Sequence, residues 1–310
     1  MTEKLYVLGH PVGHSKSPAM YNAVYEKAGL NWHYGLMDLP TAAEAEAFLA
    51  ARDFLSINIT TPYKPQALAA ADSQAASARL AHGANVLVNA NGALIAYNTD
   101  GQGCVAYLEG AGVSFRGKSV VVCGTGPTSL SILHAVAQAG PAEVILVGRS
   151  KDRARDVLRI YVDELGALVG RTVDMPAFKE GHLSFAELYD RVNFKYGSYD
   201  TSRQAIAGAD IIIDATPLGM NEGDGAPFDP ALLSARQTVF DVVYGHGETA
   251  LAHAARAAGC AFLDGAGMLV GQAVVTVGIL RDITGEEALG MPEDELFSLM
   301  AAAAGFDLAR

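Results

Sequence analysis

The sequence has few cysteines and few cationic side chains for its 310 residues. Its three cysteines, Cys104, Cys123 and Cys260, lie far apart, with no C-x-x-C pair and no His/Cys pair at ligand spacing. Disulfide frameworks and structural zinc sites need such spacings, so neither is expected and no metal site is predicted. We expect the three thiols to be small buried side chains.

The 22 Lys and Arg residues are outnumbered by 34 Asp and Glu residues, which gives a formal net charge of −12. Proteins bind nucleic acids and anionic membranes through basic patches, so neither is expected as the main partner. No apolar run approaches the roughly 20 residues that span a bilayer, and the first residues enter a strand-like segment without a signal-peptide pattern. We therefore expect a cytoplasmic protein. We also expect its partner to be a small molecule, bound by a monomer or a homodimer.

Apolar, β-rich runs alternate with helical patterns along most of the chain. This alternation predicts βαβ units and parallel sheets, and the chain is long enough for two domains. We place the boundary close to residue 101. The later runs DIIIDAT, TVFDVVY and CAFLDG are apolar in their centres, as expected of strands covered on both faces. Earlier, Asn91-Gly92 between two apolar runs predicts a hairpin with a primed turn, which we expect to close the first sheet.

Residues 150–209 are the hardest part of the sequence to interpret. A helix containing RARDVLRIYVDEL is followed by a stretch rich in Tyr, Asp and Gly that has room for one strand or two. Two final helices are predicted over 266–282 and 293–304, and either half of the chain could receive them.

A glycine turn between the strand SVVVCG and the next helix has the context of a dinucleotide-binding fingerprint. Gly124 and Gly126 occupy the first two glycine positions, where a tight turn lets backbone N–H groups approach a pyrophosphate at the helix N-terminus. The third position is Ser129 rather than Gly or Ala, so the match is incomplete. On its own, the turn is explained equally well as a plain strand–helix connection.

The end of the following strand indicates which dinucleotide is bound. NAD sites usually have an acidic residue there for the ribose 2′-hydroxyl, whereas this strand ends in Arg149, with Ser150, Lys151 and Arg153 behind it. A guanidinium fork and an ammonium group suit a 2′-phosphate. A solvated basic helix start is the alternative, although positive charge at a helix N-terminus opposes the helix dipole. We predict NADP (NADPH) as the cofactor.

Residues 112–119, GVSFRGKS, match the phosphate-loop pattern G-x-x-x-x-G-K-S. That loop follows a strand and opens a helix, whereas this stretch follows a helical pattern and leads into the strand SVVVCG. Phosphoryl transfer through an ATP or GTP site is therefore disfavoured.

Polar side chains collect near the ends of the strands in the first half. Ligands bind at strand carboxyl ends in open α/β sheets, so hydroxyls, amides, a lysine and a carboxylate there indicate a polyol or hydroxy-acid pocket. Each residue also has a structural explanation; Ser17-Pro18, for example, has the pattern of an N-cap followed by Pro. The residues are Ser15, Lys16, Ser17, Asn58, Thr60, Lys64, Asn85, Asn98, Thr99 and Asp100.

The chain resembles the shikimate dehydrogenase family over nearly its whole length, residues 150–209 excepted. The motifs that carry the resemblance occur in the family's order and approximate spacing: GHSKSP, NITTPYK, GAN, NTDG, GTGPTS, GRS, DATPLGM, DVVY and DGAGMLVGQA. The resemblance implies an α/β protein with an N-terminal open α/β substrate domain, residues 1–101 with 266–310. It also implies a Rossmann-like NADP-binding domain, residues 102–265, with a deep cleft between the two.

The resemblance also implies roles for individual residues. The catalytic residues are Lys64 and Asp100, and the serines of S-K-S bind the substrate carboxylate. The implied substrate-binding residues are Ser15, Ser17, Asn58, Thr60, Lys64, Asn85, Asp100, Tyr244 and Gln272. The implied cofactor-binding residues are Gly124, Thr125, Gly126, Pro127, Thr128, Ser129, Gly148, Arg149, Ser150, Arg153, Thr216, Pro217, Gly265 and Met268.

The implied reaction is the reversible NADPH-dependent reduction of 3-dehydroshikimate to shikimate. Reducing a ketone needs a hydride at carbon and a proton at oxygen, and the nicotinamide supplies only the hydride. Lys64 is the candidate acid–base group and Asp100 holds it in place, but the sequence leaves open which of the two carries the proton. Quinate oxidation, with NAD, is the alternative within the family. A metabolite-binding protein without turnover is the alternative outside the enzymes.

The sequence departs from the family pattern at a few positions. Val86 stands where the family has threonine after the asparagine, Gly148-Arg149-Ser150 replaces Asn-Arg-Thr, and Pro127 stands where glycine is common. We expect these differences to affect cofactor affinity and specificity more than the type of reaction. At the N-terminus, an extended GHSKSP segment would point Ser15 and Ser17 the same way and turn Lys16 outward.

Overall fold

The computed structural model describes residues 3–169 and 182–308, which divide into two compact units. Residues 3–103 and 269–308 form unit 1, and residues 104–169 and 182–268 form unit 2. Each unit contains one six-stranded sheet. The remaining part of the stretch 150–209, residues 170–181, lies outside the described residues.

Unit 1 is built on a mixed sheet. Its strands are β1 (Glu3–Gly9), β2 (Trp32–Asp38), β3 (Ser56–Ile59), β4 (Ser73–Gln74), β5 (Val86–Ala90) and β6 (Ala93–Tyr97). The strand order is β2-β1-β3-β5-β6-β4. β1 is parallel to β2 and β3, and β5 is antiparallel to β3 and β6. The interior is formed by apolar residues of these strands, such as Leu8, Ile57, Leu87 and Leu94, all fully buried.

The helices of unit 1 connect these strands or follow the last of them. They are α1 (Ser17–Lys27), α2 (Ala42–Ala51), α3 (Lys64–Ala70), α4 (Ala76–Ala81) and α12 (Glu293–Ala304). Two more helices cross the division between the units: α5 (Asp100–Gly110) and α11 (Ala266–Thr284). A 3-10 turn, Glu287–Leu289, precedes α12, which packs against α1 and adds an ion pair between Lys27 and Glu295 at 2.5 Å. The final helix therefore belongs with the first half of the chain.

The predicted hairpin at Asn91-Gly92 is confirmed. β5 and β6 pair antiparallel, and both turn residues have positive φ, 54° and 93°, as a primed turn requires. The expectation that this hairpin closes the sheet is wrong, because β4 pairs in parallel with β6 and forms the edge. β4 consists of two exposed polar residues, Ser73 and Gln74, so no apolar pattern marks it as a strand.

Unit 2 is a doubly wound α/β unit with an all-parallel sheet. Its strands are β7 (Ser119–Cys123), β8 (Glu143–Gly148), β9 (Asn193–Ser198), β10 (Ile211–Asp214), β11 (Thr238–Asp241) and β12 (Ala261–Asp264). They lie in the order β12-β11-β10-β7-β8-β9, so the chain winds outward from β7 in both directions. Its helices are α6 (Pro127–Gln138), α7 (Lys151–Leu168), α8 (Phe185–Arg191), α9 (Arg203–Gly208) and α10 (Ala250–Ala257), with a 3-10 turn at Pro230–Leu232.

The fold class is confirmed as α/β with a Rossmann-like second unit, and the uncertain stretch contains one strand, β9, in its described part. The expectation that the later strands are covered on both faces is confirmed for β10 and β11. It is wrong for β12, whose Ala261 and Asp264 are exposed because this strand lies at the edge of the sheet.

The statement that no apolar run approaches membrane-spanning length also needs correction. By length and composition α11 qualifies, with a mean hydropathy of 1.4 over its most apolar 18-residue window. Some 67 % of that window is buried inside the protein, as in a core helix.

Candidate active site and cofactor site

An ion pair between Lys64 and Asp100 lies at the centre of the candidate active site. The Lys64 Nζ donates a short hydrogen bond to Asp100 Oδ2, and the two side chains are only 13 % and 9 % exposed. The second carboxylate oxygen, Asp100 Oδ1, accepts a hydrogen bond from Asn85 Nδ2 at 2.8 Å. Both oxygens of the carboxylate are therefore held, and the ammonium group is fixed against it.

The topology of the sheet explains why these residues meet. β3 and β6 both run antiparallel to β5, so the ends of β3 and β6 and the start of β5 lie at one edge. Lys64 begins α3 after β3, Asp100 begins α5 after β6, and Asn85 immediately precedes β5. Asp100 also lies in the first turn of its helix, where the positive end of the helix dipole stabilises a carboxylate.

Hydrogen bonds extend this site through three further polar side chains. Asn85 accepts from the Thr99 backbone N–H at 2.8 Å and donates to the Thr99 hydroxyl at 3.0 Å. The Oε1 atom of Gln272 in α11 lies 3.5 Å from both the Thr99 hydroxyl and the Asn58 Nδ2. The amides and the ion pair thus form one continuous, largely buried polar cluster within unit 1.

Sequence reasoning missed two side chains at this cluster, Tyr34 and Thr276. The Tyr34 hydroxyl donates to Asn58 Oδ1 at 2.7 Å, and the Thr276 hydroxyl lies 3.4 Å from that of Thr99. Neither residue lies in a strand-end motif: Tyr34 is in the middle of β2 and Thr276 is inside α11. The only signal in the sequence that could have indicated them was a polar side chain at a position where the strand or helix pattern predicts a buried residue.

The two serines near the N-terminus do not lie on an extended segment, so that expectation is wrong. Lys16 has helical backbone angles (φ −84°, ψ −9°) and is the N-cap of α1, which makes Ser17 the first helical residue. Ser17 is therefore not the N-cap that its sequence suggested; its side chain is 4 % exposed and faces the interior. Ser15 is partly exposed and accepts the Ser17 N–H at 3.3 Å, while Lys16 is exposed as expected.

Two other predicted substrate residues follow strands of different units. Thr60 directly follows β3, and its methyl group packs against Gly9, where a side chain would collide with it. Tyr244 follows β11 and so belongs to unit 2, whereas all the other predicted substrate residues belong to unit 1. Burial raises the pKa of the Tyr244 hydroxyl, which keeps it in its neutral form.

The glycine turn after β7 has the geometry that a dinucleotide requires. Gly124 has φ +109°, and a side chain there would collide with Ser129 and approach Ala215 O to 3.1 Å. Gly126 is the N-cap of α6 and has open space in front of it. Ser129, at the third position of the fingerprint, is buried. Its hydroxyl donates to the carbonyl oxygen of Ala215 at 3.4 Å and so links α6 to the residue that follows β10. These features fit a pyrophosphate at the N-terminus of α6.

The basic residues after β8 adjoin that turn. Ser150 is the N-cap of α7 and accepts the Arg153 N–H at 3.3 Å, and the Arg153 Nε donates to the Thr125 hydroxyl at 3.2 Å. Arg149 and Arg153 are exposed, so both guanidinium groups are accessible to a ligand. The donors fit a 2′-phosphate, and no carboxylate occupies the end of β8.

The remaining predicted cofactor residues are spread over unit 2. Gly148 lies under the Thr125 methyl group, Pro127 and Thr128 begin α6, and Thr216 and Pro217 follow β10. Gly265 is packed against the Val242 backbone so closely that no side chain would fit, and Met268 is 7 % exposed.

Two buried carboxyl groups lie side by side at the ends of β10 and β11. Asp214 and Asp241 are paired in register, and neither is exposed. Asp241 accepts from Val243 N and the Thr249 hydroxyl, but Asp214 Oδ2 has no hydrogen-bond partner among the described residues. Burial, and then the neighbouring Asp241, raise the pKa of Asp214 to about 7.

The phosphate-loop pattern at residues 112–119 does not have the structure of a phosphate loop. GVSFRGKS connects α5 to β7 rather than a strand to a helix, and its Lys118 lies 3.5 Å from Asp210 in an ion pair. No cluster of three His, Cys, Asp or Glu residues suited to a metal occurs in residues 3–169 or 182–308. All three cysteines are free and buried.

The doubly wound unit, its glycine turn and the polar strand-end cluster are typical of an oxidoreductase that uses a nicotinamide dinucleotide. Comparison with known proteins gives the particular family. Residues 7–87 match the model of the shikimate dehydrogenase substrate binding domain. The chain is 34 % identical over 272 residues to the shikimate dehydrogenase (NADP(+)) of Symbiobacterium thermophilum, covering 86 % of this chain and 85 % of that relative. The chain belongs to the shikimate dehydrogenase family.

Solved structures with the same fold include enzymes with different substrates. The quinate dehydrogenase of Corynebacterium glutamicum in complex with NAD superposes with a TM-score of 0.75 at 27 % identity, covering 97 % of this chain and 99 % of that one. The ligand-free 5-ketofructose reductase of Gluconobacter sp. strain CHM43 superposes with a TM-score of 0.71 at 26 % identity, covering 98 % of both chains. Substrate choice must therefore be argued from this chain's own residues.

Proposed function

We propose that this protein catalyses the reversible NADPH-dependent reduction of 3-dehydroshikimate to shikimate, a step of chorismate and aromatic amino acid biosynthesis. The observation that carries the proposal is the Lys64–Asp100 ion pair, held by Asn85 at the carboxyl ends of two parallel strands. An acid–base group of this kind, surrounded by amides and hydroxyls, suits a carbonyl next to ring hydroxyls. The relative from Symbiobacterium thermophilum, named for this activity and for NADP, supports it.

Bound NADPH supplies the hydride, and the chain supplies the proton. An ammonium group donates protons whereas an ionised carboxylate only accepts them, so Lys64 is the proton donor to the carbonyl oxygen during reduction. In the oxidative direction the neutral amine accepts the proton from the substrate hydroxyl. Asp100 fixes the position of Lys64. In this proposal it also accepts a hydrogen bond from a ring hydroxyl. In this proposal Asn85 keeps Asp100 in the orientation that serves Lys64.

The other residues of unit 1 recognise the remainder of the substrate. Ser15 and Ser17 hold the carboxylate, and Asn58, Thr60 and Gln272 bind the ring hydroxyls. Tyr244 is a further residue proposed for the carboxylate, as a neutral hydroxyl donor. Residues 1–101 and 266–310 thus form the substrate domain in this proposal.

Residues 102–265 form the NADP domain. The turn Gly124–Ser129 binds the pyrophosphate, and Arg149, Ser150 and Arg153 bind the 2′-phosphate. Support comes from the positive φ of Gly124, the open space at Gly126 and the exposed guanidinium groups after β8. The proposed roles of Gly148, Thr216, Pro217, Gly265 and Met268 follow from their places in the same unit.

We also infer that the reaction takes place in the cytoplasm, with no nucleic-acid or membrane partner. The three free, buried cysteines are compatible with a reducing compartment, and the net charge of −12 disfavours polyanionic partners.

Initial rates measured at 340 nm test the proposal. Purified protein is assayed with shikimate and with quinate, each with NADP and with NAD, and kcat/KM is obtained for all four pairs. We expect the pair of shikimate and NADP to give the highest value. A higher value for quinate would overturn the substrate assignment, and a higher value with NAD would overturn the role of Arg149.

Quinate oxidation with NAD is the second candidate, because the quinate dehydrogenase with bound NAD has the same fold over nearly the whole chain. NADP is favoured over NAD because Arg149 and Arg153 suit its additional phosphate. Shikimate is favoured over quinate because the relative from Symbiobacterium thermophilum is named for shikimate. Binding without turnover is disfavoured by the intact pair Lys64 and Asp100, and a measurable rate with any of the four pairs would exclude it.

A further inference from the structure

Tyr34 is held rigidly beneath the candidate active site. It lies in β2, the edge strand of its sheet, and is 2 % exposed. The Asn22 side chain of α1 accepts the Tyr34 backbone N–H and donates to its carbonyl oxygen, both at 2.9 Å, so these two backbone groups on the edge strand are paired. The ring of Tyr34 stacks on that of Tyr21, with centroids 4.4 Å apart and an angle of 6° between the planes. Neither the backbone nor the ring of Tyr34 is free to rotate.

The Tyr34 hydroxyl determines which way the Asn58 amide faces. It donates to Asn58 Oδ1 at 2.7 Å, and both residues are buried. A phenol can donate or accept, and here it donates to the amide oxygen. On the other side of Asn58, Gln272 Oε1 can only accept and therefore requires the amide N–H. Burial raises the pKa of Tyr34, so its hydroxyl keeps its proton. The amide therefore has its oxygen towards Tyr34 and its Nδ2 towards Gln272.

Gln272 is oriented in the complementary sense. Its Nε2 donates to Leu269 O at 2.8 Å, which leaves Oε1 facing Asn58 Nδ2 at 3.5 Å. That contact is at the long limit for a hydrogen bond, so neither group is strongly engaged by the other. A hydroxyl is both donor and acceptor, and Asn58 N–H beside Gln272 C=O offers it one partner of each kind.

We propose that Tyr34 is a positioning residue that fixes the Asn58 amide so that Asn58 and Gln272 together present a donor and an acceptor to one hydroxyl of the substrate ring. The inference rests on the proposed function, because it assumes a polyhydroxy ring as substrate. Tyr34 acts only through Asn58 and takes no part in proton transfer. Its effect is on substrate binding rather than on the chemical step.

The test compares Tyr34→Phe with Tyr25→Phe in the full-length protein. Tyr25 is a matched control, since it is 1 % exposed and its ring lies 6.2 Å from that of Tyr21, the ring on which Tyr34 stacks. Its buried hydroxyl has no hydrogen-bond partner among the described residues. For Tyr34→Phe we expect the KM for shikimate to rise roughly tenfold, kcat to change less than about threefold and the KM for NADP to stay the same. Tyr25→Phe should leave all three constants unchanged.

A double-mutant cycle with Asn58→Ala separates positioning from a general loss of packing. Once Asn58 is removed, Tyr34→Phe should raise KM no further, because the group it positions is absent. This comparison holds even if Tyr34→Phe lowers Tm, since a packing defect would add to the effect of Asn58→Ala. A KM for Tyr34→Phe within twofold of wild type, or additive effects in the cycle, would overturn the inference. Absence of shikimate oxidation in the wild-type protein would instead overturn the proposed function.

Discussion

Replacing Lys64 by methionine tests the acid–base role most sharply. Methionine keeps an unbranched side chain of similar length but removes the ammonium group that donates to Asp100. General acid–base catalysis contributes roughly 10²- to 10⁴-fold to a rate, which corresponds to about 3–5 kcal/mol in the activation free energy. We therefore expect kcat for shikimate oxidation to fall by that factor.

The same change leaves a carboxylate without its cation. Asp100 is only 9 % exposed and retains the hydrogen bond from Asn85, so part of its stabilisation survives. Removing one partner of a buried ion pair costs about 3 kcal/mol or more in free energy of unfolding, and Tm should fall by several degrees. The double variant Lys64→Met/Asp100→Asn also removes the carboxylate charge while keeping an oxygen for Asn85. It should recover Tm but not activity.

Three measurements together decide this prediction: kcat at saturating substrates, Tm from thermal unfolding, and the dissociation constant of NADP from calorimetric titration. The NADP constant should stay within about threefold of wild type, because the predicted cofactor residues all belong to unit 2 and Lys64 to unit 1. A kcat above one tenth of the wild-type value, roughly, would show that Lys64 is not the proton donor. Loss of NADP binding would show that its role has been misassigned.

Three further predictions follow from the geometry. Arg149→Ala should raise the KM for NADP roughly 10- to 100-fold and the KM for NAD little, whereas the control Arg155→Ala, at an exposed residue paired with Asp152, should change neither KM. An equal rise in KM for both cofactors would contradict a 2′-phosphate site. Ser17→Ala should raise the KM for shikimate roughly tenfold while the exposed neighbour Lys16→Ala leaves it unchanged, and the reverse ranking would refute the carboxylate role of the serine. Because burial raises the pKa of Asp214 to about 7, the ionised carboxyl destabilises the fold progressively from about pH 4 to about pH 7. Asp214→Asn should therefore raise the free energy of unfolding at pH 8 by at most about 4 kcal/mol, with a corresponding rise in Tm, and change both little at pH 4; an equal change at the two pH values would disprove a titrating group.

Strongly periodic and motif-bearing segments could be predicted from the sequence. The parallel strands β7, β8, β10 and β11, the primed turn at Asn91-Gly92 and the glycine turn before α6 all depend on local patterns that the tertiary structure leaves unchanged. The association of Lys64 with Asp100 could also be anticipated, since each follows a strand whose end lies at one edge of a sheet.

Features that depend on long-range packing could not be predicted. β4 has no apolar residue, and its place at the sheet edge is fixed by pairing with β6. β9 joins the sheet by pairing in parallel with β8. Aromatic contacts of α8 and β9, such as Phe185 on His134 and Phe194 on Tyr161, add to this, and their spacing follows no helical or strand period. Tyr34 illustrates the same limit at the site. It looks like any buried strand residue until Asn58, 24 positions away, is seen to accept its hydroxyl.

The central claim is that this chain transfers a hydride from NADPH to 3-dehydroshikimate, with Lys64 supplying the proton. The most direct test is to mix purified protein with NADPH and 3-dehydroshikimate, follow the absorbance at 340 nm, and identify the product by chromatography. The account predicts that NADPH is consumed in a one-to-one ratio with the shikimate formed, at a rate that Lys64→Met reduces at least a hundredfold, roughly. No consumption of NADPH, or a product other than shikimate, would contradict it.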